Sequence, residues 1–197
     1  MTALPRGRHN LPRETVVASQ RERILRAATD MMSEQGYAST SVADILRSAG
    51  VSRETFYEQF DSKQDCFVAA LEAAIGSLQS AMQASNPAQG TPLERFGVAL
   101  ATYLDAIAAD TARARLFLVE VYAVDEAVMR RRVELQQGFA DRMVADLGVR
   151  SQADRFACTA LVAAISSLVT ARVIENDVEG IHALRAPILA LAKRLFG

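Results

Sequence analysis

The chain is poor in the residues that carry most metal and nucleophilic chemistry. Its 197 residues include two cysteines, Cys66 and Cys158, and two histidines, His9 and His182. The cysteines stand far apart, with no CxxC and no histidine close in sequence, so a zinc site has no basis here. They read as small buried thiols of a reducing compartment. Histidines at positions 9 and 182 alone supply no Ser/His/Asp or Cys/His set. No segment sustains the two-residue alternation of a strand. Met1 to Pro12 carries arginines but no apolar run of the secretory kind. The uncharged run from Phe156 to Ala171 falls short of the roughly 20 residues of a membrane span. It also includes Cys158, Thr159, Ser166, Ser167 and Thr170, and it reads as a buried helix.

Charge of one sign is lacking too. The formal net charge is -1, so a nucleic-acid reading must rest on a few placed cations rather than a basic surface. The distribution is uneven. Residues 1–26 hold Arg6, Arg8, Arg13, Arg21, Arg23 and Arg26 against Glu14 and Glu22, whereas residues 27–63 set Arg47, Arg53 and Lys63 against Asp30, Glu34, Asp44, Glu54, Glu58 and Asp61.

What the chain has is helix. Ser19 with Glu22 forms a capping pattern, followed by apolar pairs Ile24/Leu25, Ala27/Ala28 and Met31/Met32, and Gly36 is the stop. Ser41 with Asp44 opens a short helix that Gly50 ends. Ser52 opens another, of about two turns, that closes near Phe60. Asp61 with Gln64 is read as the cap of a long helix striped by Phe67, Leu71, Ala74, Leu78 and Met82. Residues 85–90 are turn formers. Thr91-Pro92-Leu93-Glu94 then combines an N-cap, a proline at the first helical position and a capping glutamate. Further helices are expected over 111–123, 126–147, where Gly148 is the stop, and 151–175, which Ser151 with Asp154 opens, with a last one after Gly180 that Pro187 bends or delays.

The functional weight falls on Thr40 to Ser52. A short helix turns Val42, Ile45 and Leu46 inward, Gly50 makes the tight turn, Val51 fills the angle, and Ser52 caps the next helix. That next helix offers Ser52, Arg53, Glu54 and Thr55 at its start, short polar and basic side chains of the kind that read base edges in the major groove. Lys63, one of two lysines in the chain, falls at a helix start, where backbone N–H groups also favour a phosphate. The run Ala49-Gly50-Val51-Ser52-Arg53-Glu54-Thr55-Phe56-Tyr57-Glu58-Gln59-Phe60-Asp61-Ser62-Lys63, preceded by Thr-Ser-Val-x-Asp-Ile, resembles the signature of the TetR family of bacterial repressors over roughly residues 20–75.

The resemblance implies an all-α fold of about nine helices. A basic arm (1–18) would precede a helix-turn-helix domain (19–84, core 41–60), and an effector-binding and dimerisation domain (91–197) would follow. By the same resemblance, Ser52, Arg53 and Thr55 contact base edges or nearby phosphates, Tyr57, Gln59 and Lys63 grip phosphate, and Ser41 caps the helix that crosses the backbone. Glu54 departs from the family pattern and either accepts from a cytosine amino group or turns away. The arm around Arg6 to Arg13 either enters the minor groove or is a solvated tail. The partners implied are a double-stranded operator, a second copy docked through the last two helices, and a small apolar or aromatic effector. No cofactor and no metal are implied, and the place of action is the bacterial cytoplasm.

Candidate pocket residues are Phe96, Tyr103, Phe117, Tyr122, Phe139, Met143 and Phe156, with Ser166 and Thr170 as polar anchors. Ordinary core packing is the competing reading of each. Arg130-Arg131-Arg132 reads as a solvated helix face. Two other functions stay open. One is a helical adaptor that has lost DNA binding, which the acidic Glu54, Glu58 and Asp61 would suit. The other is an all-α metalloenzyme built on Glu179-Gly180-Ile181-His182, although such a site needs that motif twice.

Overall fold

In a computed structural model of the chain, residues 13–85 and 89–197 are described. The basic stretch from Arg6 to Pro12, His9 included, and Asn86-Pro87-Ala88 of the turn segment lie outside the described residues. The described residues form α1 (Arg13–Gln35), α2 (Val42–Ala49), α3 (Arg53–Tyr57), α4 (Lys63–Ala84), α5 (Pro92–Ala109), α6 (Thr111–Leu118), a 3-10 turn (Glu120–Ala123), α7 (Glu126–Leu147), α8 (Gln152–Glu175), α9 (Val178–Ala183) and α10 (Arg185–Phe196). The fold is all-α, as the sequence implies. The helix expected after Gly180 instead begins before it, at Val178, with Asp177 as its cap, and exists in two pieces, α9 and α10, with Pro187 in the first turn of the second.

The sequence caps work as read at α2, α3, α5 and α8. Ser41 accepts from the Asp44 N–H and Asp44 answers the Ser41 N–H; Thr91 and Glu94 do the same at α5. Two starts differ. Nothing between Arg13 and Ser19 breaks a helix, so α1 begins at Arg13, and Ser19/Glu22 is an internal pair rather than a cap. At α4 the cap is Ser62, not Asp61, because the Ser62 hydroxyl lies 3.0 Å from the Asp65 N–H. Gln64 is thereby free to reach across to Asp125.

Two hydrophobic cores result. The first joins Ile24, Ala28 and Met32 of α1, Ile45 of α2, Phe56 and Phe60 around α3, and Phe67 and Leu71 of α4. It also takes in Leu116 and Phe117 of α6, Val121 and Val128, which come from the larger half of the chain. The second core holds Leu100 and Leu104 of α5, Ala114 of α6, Met143 of α7, Cys158, Leu161 and Val169 of α8, Ile181 of α9 and Ile188 of α10. Helix α6 therefore belongs to both. Polar ties cross the same seam: Arg113–Asp30 at 3.2 Å, Arg131–Glu72 at 2.6 Å, and the Tyr37 N–H donating to Glu120 at 2.9 Å.

The reading of residues 156–171 as a buried helix needs correction. α8 packs one face on its neighbours through Cys158, Leu161, Val169 and Val173. Its other face is open, with Phe156 at 73% exposure and Leu168 and Ile174 near half. Phe156 is thus excluded from any interior pocket, because it points off the opposite side of the helix from the second core.

Gly50 sits at φ 63°, ψ 42° as the left-handed end of α2, a conformation that costs an L side chain about 1–2 kcal/mol. Gly50→Ala should lower unfolding stability by that amount, read as a shift in urea midpoint at unchanged slope. The thiols give a second check. Burial pushes Cys66 up to about 12, with the Asp65 charge adding to the effect, and burial raises Cys158 as well. Neither thiol should react with Ellman's reagent near neutral pH until the chain is unfolded, because only the thiolate attacks.

Candidate functional site

The helix-turn-helix is assembled from short-range contacts. Ile45 and Phe56 are fully buried, with Val42, Leu46 and Val51 packed against them. Arg23 of α1 donates to the Ala49 carbonyl at 3.1 Å, satisfying the end of α2. Ser52 caps α3 by accepting from the Thr55 N–H at 3.0 Å, and its hydroxyl also meets the Thr55 hydroxyl at 2.9 Å. Outward from this scaffold stand Ser52, Arg53, Glu54 and Tyr57. The Arg53 guanidinium lies 5.8 Å from the centre of the Tyr57 ring. This group can present a cation, a phenol and a hydroxyl to a duplex groove.

Three other candidates are placed differently. Ser41 is exposed, but its N–H and hydroxyl both donate to Asp44, at 3.1 and 2.6 Å, and hold that carboxyl below its usual range. Its role is the cap. Gln59 is half-buried with its Oε1 enclosed and unpartnered among the described residues, while its carbonyl accepts from Arg21 at 3.3 Å. Lys63 turns inward. Its ammonium donates to the carbonyls of Tyr37 and Thr40, both at 2.8 Å, and lies 4.1 Å from the centre of the Tyr37 ring. Burial pushes its pKa below the ordinary lysine value. One N–H remains for a phosphate, but the first task of Lys63 is to clip the 36–41 loop to the start of α4.

Between the larger half and helices α1 and α4 lies a half-open cavity of about 680 Å³, inside the roughly 300–1,000 Å³ usual for small-molecule sites. Of the expected residues it gathers Phe96, Tyr103, Phe117, Phe139, Met143 and Ser166. Its walls also include Leu25 and Thr29 of α1 and Leu71, Ala74, Ile75 and Leu78 of α4, so the reading module forms part of the pocket. Tyr122 and Thr170 lie apart, in a smaller recess of about 390 Å³ beside α8. Ser166 borders both spaces.

The arginine triplet contains the residue that sequence reasoning missed. Arg130 is exposed and pairs with Glu126, and Arg131 bridges Glu72 and Glu134. Arg132, by contrast, is only 9% exposed and borders both the cavity and the recess. The signal was present in α7. Val128, Leu135, Phe139 and Met143 mark an apolar face at helical spacing, and Arg132 falls on it. His182 of the Glu179–His182 motif sits beside Asp105 at 3.3 Å, and Gly180 packs so closely on Asp177 that a Cβ there would fall 1.9 Å from its carboxylate. Among the described residues no cluster of three metal-ligating side chains occurs.

Three N-terminal helices with an exposed α3, built onto a helical body beside a mostly apolar cavity, define a helix-turn-helix fold. Residues 24–70 match the family described as bacterial regulatory proteins, tetR family. The similarity to that family is carried by this N-terminal module, from Ile24 to Ala70. The chain is 26% identical over 120 residues to the HTH-type transcriptional activator FasR of Mycolicibacterium smegmatis, covering 61% of this chain and 53% of that protein. It is 40% identical over 76 residues to the HTH-type transcriptional regulator AcrR of Shigella flexneri, covering 37% of this chain and 34% of that protein. The chain thus spans about half or less of the length of these curated relatives. The whole fold resembles that of the transcriptional regulator FadR from Bacillus subtilis in complex with stearoyl-CoA. The TM-score is 0.76 at 20% identity, over 89% of this chain and 97% of that one.

Removing the Lys63 clip leaves two carbonyls and a loop without their charged donor, where each such bond is worth about 1.5–3 kcal/mol. Lys63→Met should therefore destabilise the chain by at least about 2 kcal/mol in urea unfolding. The salt dependence of DNA binding should fall by less than the roughly one unit of log K per lost phosphate contact.

Proposed function

We propose that the chain is a ligand-responsive transcriptional repressor. It grips a palindromic operator as a homodimer, one α3 per half-site about 34 Å apart, and releases it when an elongated apolar molecule fills the cavity. The observation that carries this reading is the shared wall. Leu25, Thr29, Leu71 and Ile75 of the reading module line the same space as Phe96, Tyr103 and Met143, so an occupant presses on both halves at once. The neighbouring FadR structure, with its bound stearoyl-CoA, supports an acyl or similarly long apolar effector. The exposed Arg53, Ser52 and Tyr57 support base and phosphate contacts. The half-exposed Leu168 and Ile174 of α8, with Leu195 of α10, support dimerisation through these helices. The site of action is the cytoplasm, on the nucleoid when DNA is bound.

The route between the sites is a stack of rings. Phe117 in the cavity wall packs on Phe67 at 5.8 Å, and Phe67 meets the edge of Tyr37 at 5.3 Å. Tyr37 lies in the loop that leads into α2 and is held by both Lys63 and Glu120. A ligand that favours a different placement of Phe117 would change the angle of the reader, releasing DNA by its differential affinity for the two states.

The adaptor alternative keeps one observation in its favour, the exposure of Glu54, Glu58 and Asp61. Gel shifts on the DNA upstream of the chain's own gene decide between the two readings; absence of a shift at low salt would overturn the repressor. Within the repressor reading, Arg53→Ala should cost about 1–3 kcal/mol and relax specificity at one base position. Glu120→Gln should leave operator affinity within about threefold but blunt its loss on adding dodecanoate, since coupling energies of this kind run to only about 1–3 kcal/mol.

A further inference from the structure

The cavity wall is mostly apolar, and of the charged side chains that border it Arg132 alone is buried, with nothing of opposite sign to meet it among the described residues. Among the described residues no carboxylate lies within ion-pair distance of Arg132. Its guanidinium donates to Ser166 at 3.3 Å and to Gln136 at 3.5 Å, and lies 5.0 Å from the centre of the Tyr122 ring. Both hydrogen bonds are longer than the usual range, about 2.7–3.2 Å, and both partners are neutral. A desolvated guanidinium held only by long neutral contacts and a ring face is an incomplete arrangement, since buried charges are ordinarily paired. Close by, the Tyr103 phenol lines the same cavity and makes no hydrogen bond to any described residue. Burial pushes its hydroxyl up to about 12, with the Arg132 charge acting in the opposite direction. It is a donor throughout the physiological range. Arg132, Ser166, Gln136 and Tyr103 together offer a fork of N–H groups and hydroxyls against a mainly aliphatic and aromatic surface, whose other cations are exposed (Arg26, Arg113, Arg142) or half-buried (Arg95). That is the pattern that recognises a planar oxyanion.

We propose that the natural occupant is an amphipathic acid, whose free carboxylate is held by Arg132 and whose apolar body runs between α4 and α5 towards Phe96 and Leu78. The inference rests on the cavity being an effector site, but it goes further by naming the head group. A neutral ester or alcohol of the same length would leave the guanidinium unpaired. A coenzyme A thioester would put a neutral carbonyl where the anion belongs, with its phosphates far down the chain.

The test is calorimetric titration of the full-length protein with dodecanoate, 1-dodecanol and dodecanoyl-CoA. Wild type should bind dodecanoate about 10- to 100-fold more tightly than 1-dodecanol, the span expected of hydrogen bonds to a charged group. Arg132→Gln should erase that preference while leaving the affinity for 1-dodecanol unchanged, and Arg132→Lys should restore part of it. Equal affinity of wild type for dodecanoate and 1-dodecanol overturns the proposal without needing a variant. Tighter binding of dodecanoyl-CoA than of dodecanoate also overturns it, and leaves the effector-site reading intact. Failure of all three to bind overturns both. Sedimentation of Arg132→Gln closes the remaining route: a shift to monomer would show that a second copy supplies the missing counter-charge, and the head-group assignment would fall.

Discussion

Helix α6 has to satisfy two hydrophobic cores at once, and the rest of the molecule is arranged around that demand. In two turns it gives Leu116 and Phe117 to the core of the reading module and Ala114 to the core of the larger half. Each fully buried large apolar side chain contributes roughly 1.5–3 kcal/mol. The two halves are therefore held by packing that neither could keep if the other moved away. The polar ties across the seam are of another order. Arg113–Asp30 and Arg131–Glu72 are about half exposed at both ends, and pairs of that kind contribute about 0–1 kcal/mol. They set register rather than strength.

The loop between α1 and α2 shows the same division of labour on a smaller scale. Its backbone polar groups lie away from helical partners, and unpaired buried amides and carbonyls are costly. Lys63 takes two carbonyls from one side and Glu120 takes the Tyr37 N–H from the other. One donor belongs to α4 of the reading module and one acceptor to the segment after α6. The loop that sets the start of α2 is thus fixed jointly by both halves, with few alternatives for where the backbone can go. A packed aromatic stack beneath it makes the coupling steric as well as electrostatic, because close-packed interiors pass on displacements rather than absorb them.

Much of this was legible in the residues, where the governing physics is local. Capping pairs three residues apart located α2, α5 and α8, and Gly50 and Gly148 announced their left-handed ends, because orphan N–H and C=O groups at helix ends leave few solutions. The exposed group Ser52, Arg53, Glu54 and Tyr57 was readable for the same reason: a short helix held by Phe56 and Phe60 leaves its other face outside. Where the deciding partner is remote, the sequence was silent. Lys63 looked like a phosphate ligand because its carbonyl partners lie 23 and 26 residues away. Phe156 looked like a pocket aromatic because helical spacing marks which residues share a face, not what that face meets. Arg132 was hidden by its neighbours, since three consecutive arginines read as one solvated patch, although successive residues on a helix point about 100° apart.

The open face of α8 bears on the cavity more directly than distance along the chain suggests. The recess beside α8 is bounded on one side by Arg132, Gln136 and Ser166, which also bound the main cavity, and on the other by Ser167, Thr170, Ala171 and Ile174 of α8. Ile174 belongs to the apolar surface that a second copy would cover. A single layer of side chains, Arg132, Gln136 and Ser166, therefore separates the cavity from the exposed face of α8. Movement of Arg132 toward an anion would loosen its hold on Ser166 of α8 and its stacking on Tyr122, and both of these lie at the edge of that surface. In a dimeric regulator the distance between the two readers depends on how the copies are docked, so a shift of α8 by a fraction of a side chain is multiplied over the length of the molecule. The same residues would then govern ligand choice and half-site spacing, with no separate signal needed between them.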